Sequence, residues 1–177
     1  MDTQTKQIVI SAMEGFSLPR YRELPEVGLY LEQVVQYVNG VTSALGLPPL
    51  TSSMVGNYVK QGLIDSPVKK RYGADQIAYL IFVTCTKNVL SIENLRLFIS
   101  MQKATYDVFV AYDYFCEQLE LALDYAFGRS EMLVDTAVTV SEEKDMLRYC
   151  TIATANVAYL GACFDAVRIR AEEQLAQ

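Results

Sequence analysis

The chain has 177 residues, of which 51% are apolar and 20% charged, and its formal net charge is −6. This composition is typical of one or two folded domains and excludes a disordered chain. The sequence has no histidine, which is the commonest general base and metal ligand, so Ser-His-Asp and Cys-His catalysis are excluded. We therefore predict a protein that is not an enzyme and has no cofactor and no metal site.

The apolar segments and the cysteines predict the cellular setting. No run of eighteen apolar residues is free of charges, so no transmembrane helix is expected, and residues 1–16 make a poor secretory signal. The cysteines form no CxxC pair and lie in apolar helical patterns, which favours buried reduced thiols: Cys85, Cys116, Cys150 and Cys163. We predict a cytoplasmic protein with no membrane partner.

The first predicted elements follow an N-terminal segment at 1–16. Residues 17–27, SLPRYRELPEV, predict an extended arm in which Arg20 and Arg22 either form local ion pairs with Glu23 or Glu26 or reach a nucleic-acid backbone. Apolar residues then recur at helical spacing in 29–41, and a glycine and two prolines in 46–49 end this helix.

A second helix is predicted at 52–61, with Thr51 as its N-cap and Gly62 as the left-handed residue after its end. Residues 65–72 predict a short loop or small hairpin that carries three adjacent cations, Lys69, Lys70 and Arg71. Residues 51–72 have a local charge of +3, whereas the rest of the chain carries −9. Helix, turn, helix and basic loop in this order are typical of a DNA-binding head.

The second half of the chain predicts further helices at 74–89, at 92–101 after an N-cap at Ser91, and at 105–127. The form of residues 128–140 is not predicted. Ser141 begins a last helix with a heptad seam that forms either an intrachain core or a homodimer contact: Met146, Cys150, Ala153, Val157, Leu160, Phe164, Val167 and Ala171.

The aromatic run YDVFVAYDYF at 106–115 has two interpretations. Its rings form a helix core, or they line a pocket for a small-molecule effector near Tyr106, Phe109, Tyr112 and Phe115. Three aspartates on or near this helix are predicted to be solvated, since nothing in their spacing indicates a cleft: Asp107, Asp113 and Asp124.

Three segments resemble the regulators of the MerR type. TSSMVGNYVKQGLI at 51–64 is similar to their recognition helix, and KKRYGADQIAYL at 69–80 is similar to the end of their wing and the next helix. VLSIENLRLFI at 89–99 resembles the segment in which they have a Gly-Phe-Ser-hydrophobic-Glu-Glu-Ile pattern. The resemblance implies a winged helix-turn-helix. Those regulators commonly have a DNA-contacting arginine where this chain has Gly56, and their wing is longer.

A closer resemblance is to the family called domain of unknown function 1836. It rests on LPRYRELP at 18–25, LYLEQVV at 29–35 and the run MVGNYVKQGLI followed by KKRYGADQIAYL, and covers about the first hundred residues. It implies a DNA-binding regulator without established chemistry.

We therefore predict an all-α fold with a MerR-like winged helix-turn-helix domain at 17–103 and a helical C-terminal region at 104–177. The predicted function is a homodimeric transcription regulator that binds double-stranded DNA. The predicted DNA-binding residues are Ser52, Ser53, Asn57, Lys60, Gln61, Lys69, Lys70 and Arg71. The alternative is a helical module for protein interaction or ligand sensing that has lost DNA binding.

Overall fold

The computed structural model describes residues 3–133 and 141–175, and over these residues the chain is all-α, as predicted. The described part has seven α-helices: α1 (Thr3–Ser11), α2 (Leu31–Thr42), α3 (Ser52–Lys60), α4 (Ala74–Thr86), α5 (Ile92–Thr105), α6 (Val108–Ala126) and α7 (Glu142–Leu175). Single 3-10 turns lie at Tyr21–Glu23 and Ser43–Leu45. Helix α1 lies in the segment 1–16, for which the sequence predicted no element.

The predicted capping residues begin and end these helices. Each N-cap hydroxyl accepts a hydrogen bond from the backbone amide three residues later: Met54 N to Thr51 Oγ1 at 3.2 Å, Asn94 N to Ser91 Oγ at 3.2 Å and Lys144 N to Ser141 Oγ at 3.3 Å. Gly62 follows α3 with φ 72°, a left-handed conformation that glycine adopts without steric cost. Local chemistry therefore sets the starts of α3, α5 and α7 and the end of α3.

Helix α4 lies at the centre of the molecule and packs against α2, α6 and α7. Its side chains Ile77, Leu80 and Val83 are completely buried. One continuous core runs from Val9 of α1 to Ala166 of α7, and α6 and α7 form its largest helix pair. The predicted domains at 17–103 and 104–177 therefore share a core, and their boundary at residue 103 stays a prediction.

The arm at 17–27 is fixed to α6. The Arg20 guanidinium donates two hydrogen bonds to the Glu120 carboxylate, at 2.7 and 2.6 Å, and Leu18 N donates to the same carboxylate at 2.9 Å. Tyr21 N donates to Asp113 Oδ1 at 2.7 Å. The predicted local ion pair of Arg20 was wrong, because its partner lies a hundred residues away, and Asp113 is half-buried instead of solvated.

The arm also contacts α4. The Tyr21 hydroxyl donates a hydrogen bond of 2.5 Å to Asp75 Oδ1, and this bond, with burial, raises the pKa of Tyr21 to about 12. Glu23, which was predicted as an ion-pair partner of Arg20, instead accepts a hydrogen bond from Arg20 N at 2.7 Å and so caps the 3-10 turn. The arm is thus a docked segment that joins α4 to α6.

Helix α7 turns its small residues inward. Thr154, Ala155 and Ala158 are buried against the core, so the neighbouring helix can approach closely. Most of the predicted heptad seam faces outward: Met146, Val157, Leu160, Phe164 and Val167 are 43, 38, 55, 62 and 56% exposed, Ala171 is also exposed, and Cys150 alone is fully buried. The seam is therefore not the intrachain core over most of its length.

Over Glu142–Glu172, α7 is also long and apolar enough to cross a membrane by length and composition, although no such span was predicted. A third of its most apolar window is buried against the rest of the chain, and core helices of globular proteins pass the same test. The predicted cytoplasmic location stays a prediction.

The four cysteines are free thiols. Cys85, Cys116 and Cys150 are buried as predicted, whereas Cys163 is half-buried. Within the described residues no group of three or more metal-ligating side chains could hold an ion.

Candidate nucleic-acid interface

Helix α3 has one buried and one open face. Val55 and Tyr58 are 0 and 4% exposed and anchor it to the core. The opposite face is exposed at i, i+3, i+4 and i+7 spacing and consists of Ser53, Gly56, Asn57 and Lys60, continued by Gln61. No described part of the chain covers this face, so four of the predicted DNA-binding residues lie together on it.

The polar side chains of α3 differ in their hydrogen-bond partners. Gln61 Nε2 donates to Asn57 Oδ1 at 3.1 Å, which holds the two amides side by side. The Ser52 hydroxyl is half-buried and donates to Glu32 Oε1 at 2.9 Å. Because a carboxylate repels phosphate, Ser53 is better placed than Ser52 for a phosphate contact.

The turn between α2 and α3 is held by a residue that the sequence analysis did not single out. The Asn39 side chain accepts a hydrogen bond from Leu50 N at 2.7 Å and donates one to Leu50 O at 2.9 Å. An asparagine thirteen residues before the start of α3 carries no local sequence signal, so only the structure identifies this role. The bonds fix the position of α3 relative to α2.

The basic loop is a two-residue hairpin. Val68 N donates to Arg71 O at 3.0 Å and Arg71 N to Val68 O at 2.9 Å. The turn residues Lys69 and Lys70 have φ 49° and 65°, which is the left-handed pair that a type I′ turn requires. This turn favours Asn-Gly, and a lysine at each position costs about 1 kcal/mol. Both lysines are exposed and neither pairs with a carboxylate in the described part of the chain.

The base of the hairpin is tied to the rest of the head at two places. Leu29 N donates to Tyr72 O at 2.9 Å and Tyr72 N to Leu29 O at 2.8 Å. This pairing needs a glycine at position 28, because a Cβ there would lie 2.9 Å from the Arg71 Cβ. Gln76 Nε2 donates to the backbone oxygens of Asp65 and Ser66, at 2.9 and 3.0 Å. The exposed tip therefore stands on a fixed base.

Arg71 is held on an aromatic ring. Its guanidinium carbon lies 4.8 Å from the centre of the Tyr30 ring, and Nη2 donates to the Tyr30 hydroxyl at 3.3 Å. Tyr30 is two residues before Glu32, which binds Ser52 at the start of α3. The hairpin and the first turn of α3 thus meet at the same end of α2.

Acidic residues within 51–72 do little to cancel the positive charge of this segment. Asp65 is the one acid in 51–72, and its carboxylate forms an ion pair with Lys103 at 3.1 Å. Burial raises the pKa of Tyr58 and of Tyr72, so both remain neutral packing residues at physiological pH. The cations left on the open side are Lys60, Lys69, Lys70 and Arg71.

The aromatic run at 106–115 is divided between core and cavity. Tyr106, Tyr112 and Phe115 line a cavity of about 180 Å³ between α4, α5, α6 and the start of α7. Phe109 does not line it, since this side chain is 51% exposed and its ring lies 6.3 Å from that of Tyr21. Three of the four residues predicted near an effector therefore lie together.

The described residues thus form an all-α protein in which the exposed face of α3 lies near a basic hairpin. Residues 19–115, more than half of the chain, match the family described as "Domain of unknown function (DUF1836)", and the chain belongs to that family. No curated protein and no solved structure matches the chain.

Proposed function

We propose that the chain is a DNA-binding transcription regulator of the MerR-like type, which acts as a homodimer. One observation carries the proposal: two lysines occupy the strained positions of a type I′ hairpin at the end of the molecule where α3 exposes a polar face. Unfavourable backbone conformations persist where function selects the side chain. Lysine ammonium groups at such a tip are suited to phosphate.

The open face of α3 supports insertion into a major groove. The amides of Asn57 and Gln61 are held next to each other, and an amide can bond both polar groups on an adenine edge. Lys60 on the same face and Ser53 at the first turn are suited to the flanking phosphates. In this arrangement the α3 amides read bases and the cations set affinity.

The hairpin supplies the second contact in the proposal. Arg71 is oriented by the Tyr30 ring, and the lysines extend beyond it. If each protomer neutralises about three phosphates, the slope of log K against log salt for a dimer is about −5.

The outward stripe of α7 supports the homodimer. Its large apolar residues repeat at alternating spacings of three and four over Val157, Leu160, Phe164 and Val167, the pattern of a coiled-coil seam. The 34-residue helix is about 50 Å long, enough for a pairing of several turns. Tyr149 and Leu97 are 66 and 59% exposed and line a groove between α5 and α7 that extends the apolar surface.

The DNA contact is tested by fluorescence anisotropy with random duplex DNA at several salt concentrations. We expect wild-type protein to bind with a slope of about −5, and Lys69→Ala/Lys70→Ala to bind more weakly with a slope of about −2, because the dimer loses four phosphate contacts. The matched control is Lys6→Gln/Arg96→Gln, which removes two exposed cations from α1 and α5. Equal salt slopes for the wild type and the hairpin variant would contradict the DNA-binding proposal. A control variant whose slope changes as much as that of the hairpin variant would also contradict it.

The dimer is tested by light scattering at micromolar concentration. Wild-type protein should have a mass of about 40 kDa, twice the 19.9 kDa of one chain. Leu160→Glu/Phe164→Glu should be monomeric and still folded, because both side chains are exposed in one protomer. The control Val27→Glu/Met132→Glu replaces two residues that are 68 and 72% exposed outside α7 and should remain dimeric. A monomeric wild-type protein would refute the dimer. Wild-type protein that rises with lipid vesicles in a flotation assay would also refute it, because a membrane would then cover the stripe.

A second candidate function is an interaction or ligand-sensing module without DNA binding. Two observations favour it: Gly56 stands on the open face where MerR-type proteins commonly have arginine, and Glu32 places a carboxylate at the first turn of α3. The anisotropy experiment separates the two candidates, since a folded dimer that binds no DNA at low salt supports the second.

A further inference from the structure

The cavity between α4, α5, α6 and the start of α7 has walls made of aromatic rings. Phe82 contributes the central ring, with Phe115 at 5.1 Å and Phe98 at 5.8 Å between ring centres and interplanar angles of 87° and 69°. Tyr79 and Tyr112 continue the wall. A volume of about 180 Å³ exceeds the roughly 150 Å³ at which an apolar cavity accepts benzene. Such a space suits a molecule of one or two small rings.

Two polar side chains of the wall, Tyr79 and Gln102, have partners within the protein, whereas the buried Tyr112 hydroxyl has no hydrogen-bond partner among the described residues. The Tyr79 hydroxyl donates to Gln102 Oε1 at 2.8 Å, and Gln102 Nε2 donates to Tyr106 O at 2.7 Å. The buried Tyr112 hydroxyl lies beside the thiol of Cys116, which does not line the cavity. Because the wall is mostly aromatic and aliphatic, a ligand gains mainly from apolar contact.

The rim of the cavity carries one charge of each sign. The Lys144 ammonium lies 5.8 Å from the centre of the Tyr106 ring and 5.7 Å from that of Tyr114. The neighbouring Glu143 stays ionised, because bonds to its own backbone amide, Ser141 and Thr105 lower its pKa. These opposite charges give the rim no preference for an ionic ligand.

We propose that this cavity is a binding site for a small, uncharged aromatic molecule of one or two rings. Its walls come from α4, which follows the hairpin directly, and from α6 and α7, so a ligand contacts both the head and the C-terminal helices. A role of the ligand as the signal of a regulator rests on the proposed function, whereas binding itself does not.

Benzene and indole serve as probes for a thermal unfolding experiment without DNA. At ten times its dissociation constant, a bound probe should raise the midpoint temperature by about 3–6 °C for a chain of this length. Methyl signals of the cavity residues Ile99, Val108 and Leu147 should shift in the NMR spectrum, and those of Val34 should not. An absence of both effects at saturating probe would overturn the proposal.

The matched pair of variants is Ala111→Phe, which fills the cavity from α6, and Ala104→Phe, which lies exposed on α5 outside it. We expect the first to abolish the thermal shift and the second to retain it. Equal thermal shifts in both variants would refute binding in this cavity. If Ala111→Phe does not fold, the NMR experiment on wild-type protein tests the proposal instead. If the chain binds the probes but binds no DNA, the cavity proposal holds and the DNA-binding proposal fails.

Discussion

The tip of the basic hairpin offers a test in which stability and DNA affinity change in opposite directions. In the variant Lys69→Asn/Lys70→Gly, the two lysines are replaced by the dipeptide that type I′ turns favour. The turn keeps its backbone, since the Val68–Arg71 hydrogen bonds do not involve the replaced side chains. The variant therefore removes both the strain and the charge of the tip.

The expected gain in stability follows from the backbone angles. At φ 49° and 65°, each lysine costs about 1 kcal/mol relative to a residue suited to the left-handed region. The added chain entropy of an unfolded glycine offsets part of this, about 0.5–1 kcal/mol. The free energy of unfolding should rise by about 1 kcal/mol, which raises the midpoint temperature by about 2–4 °C in a chain of this length.

A second variant, Lys69→Ala/Lys70→Ala, separates the two effects. Alanine removes the charge but remains strained at positive φ, so the stability should not rise, while the salt slope of DNA binding should fall from about −5 to about −2 in both variants. Urea unfolding and salt-dependent anisotropy measure the two quantities. The reasoning is refuted if the Asn-Gly variant is no more stable than the Ala-Ala variant, or if it keeps the wild-type salt slope.

Three other changes have defined outcomes. Gly56→Ala should raise the free energy of unfolding in urea by about 1 kcal/mol, because nothing lies within 4 Å of the new Cβ. If DNA affinity is unchanged in this variant, DNA does not approach the backbone at position 56. Glu120→Ala should cost about 2–3 kcal/mol, because three hydrogen-bond donors lose their acceptor, whereas Glu117→Ala on the exposed face of the same helix should cost under about 0.5 kcal/mol; equal costs would contradict a stabilising role of the contact between Arg20 and Glu120. Burial raises the pKa of Cys150 and of Tyr79 to about 12. Their contribution to the free energy of unfolding should therefore be complete below pH 9 and fall from pH 9 to 12. Free energies of unfolding that are constant over that range would contradict this.

The parts of the site that the sequence predicted correctly depend on residues close together in the chain. Thr51 and Gly62 mark the start and end of α3 by local hydrogen bonding and by a glycine conformation, and a single sequence shows both signals. The loop or hairpin at 65–72 was predicted from its position between two helices. Its turn type was not, because a Lys-Lys pair opposes the preference of that turn.

Contacts between distant residues were not predictable. Helix α1 has nine residues, too few for a stable isolated helix, and it forms because Val9 is buried where α1 packs against α7. The partner of Arg20 is a carboxylate a hundred residues away, so local charge pairing gave the wrong answer. In α7 the heptad spacing showed which residues share a face. It did not show that the small ones would face inward and leave Phe164 outside.

The docking of the arm on α6 has a consequence for experiments on fragments. The matched segment ends at residue 115, which includes Asp113 but not Glu120, and it divides α6 near its middle. A piece cut at that border would retain the Arg20 guanidinium without its acceptor and expose the apolar side of α4. The stretch by which relatives are recognised is thus shorter than the stretch that packs around one core.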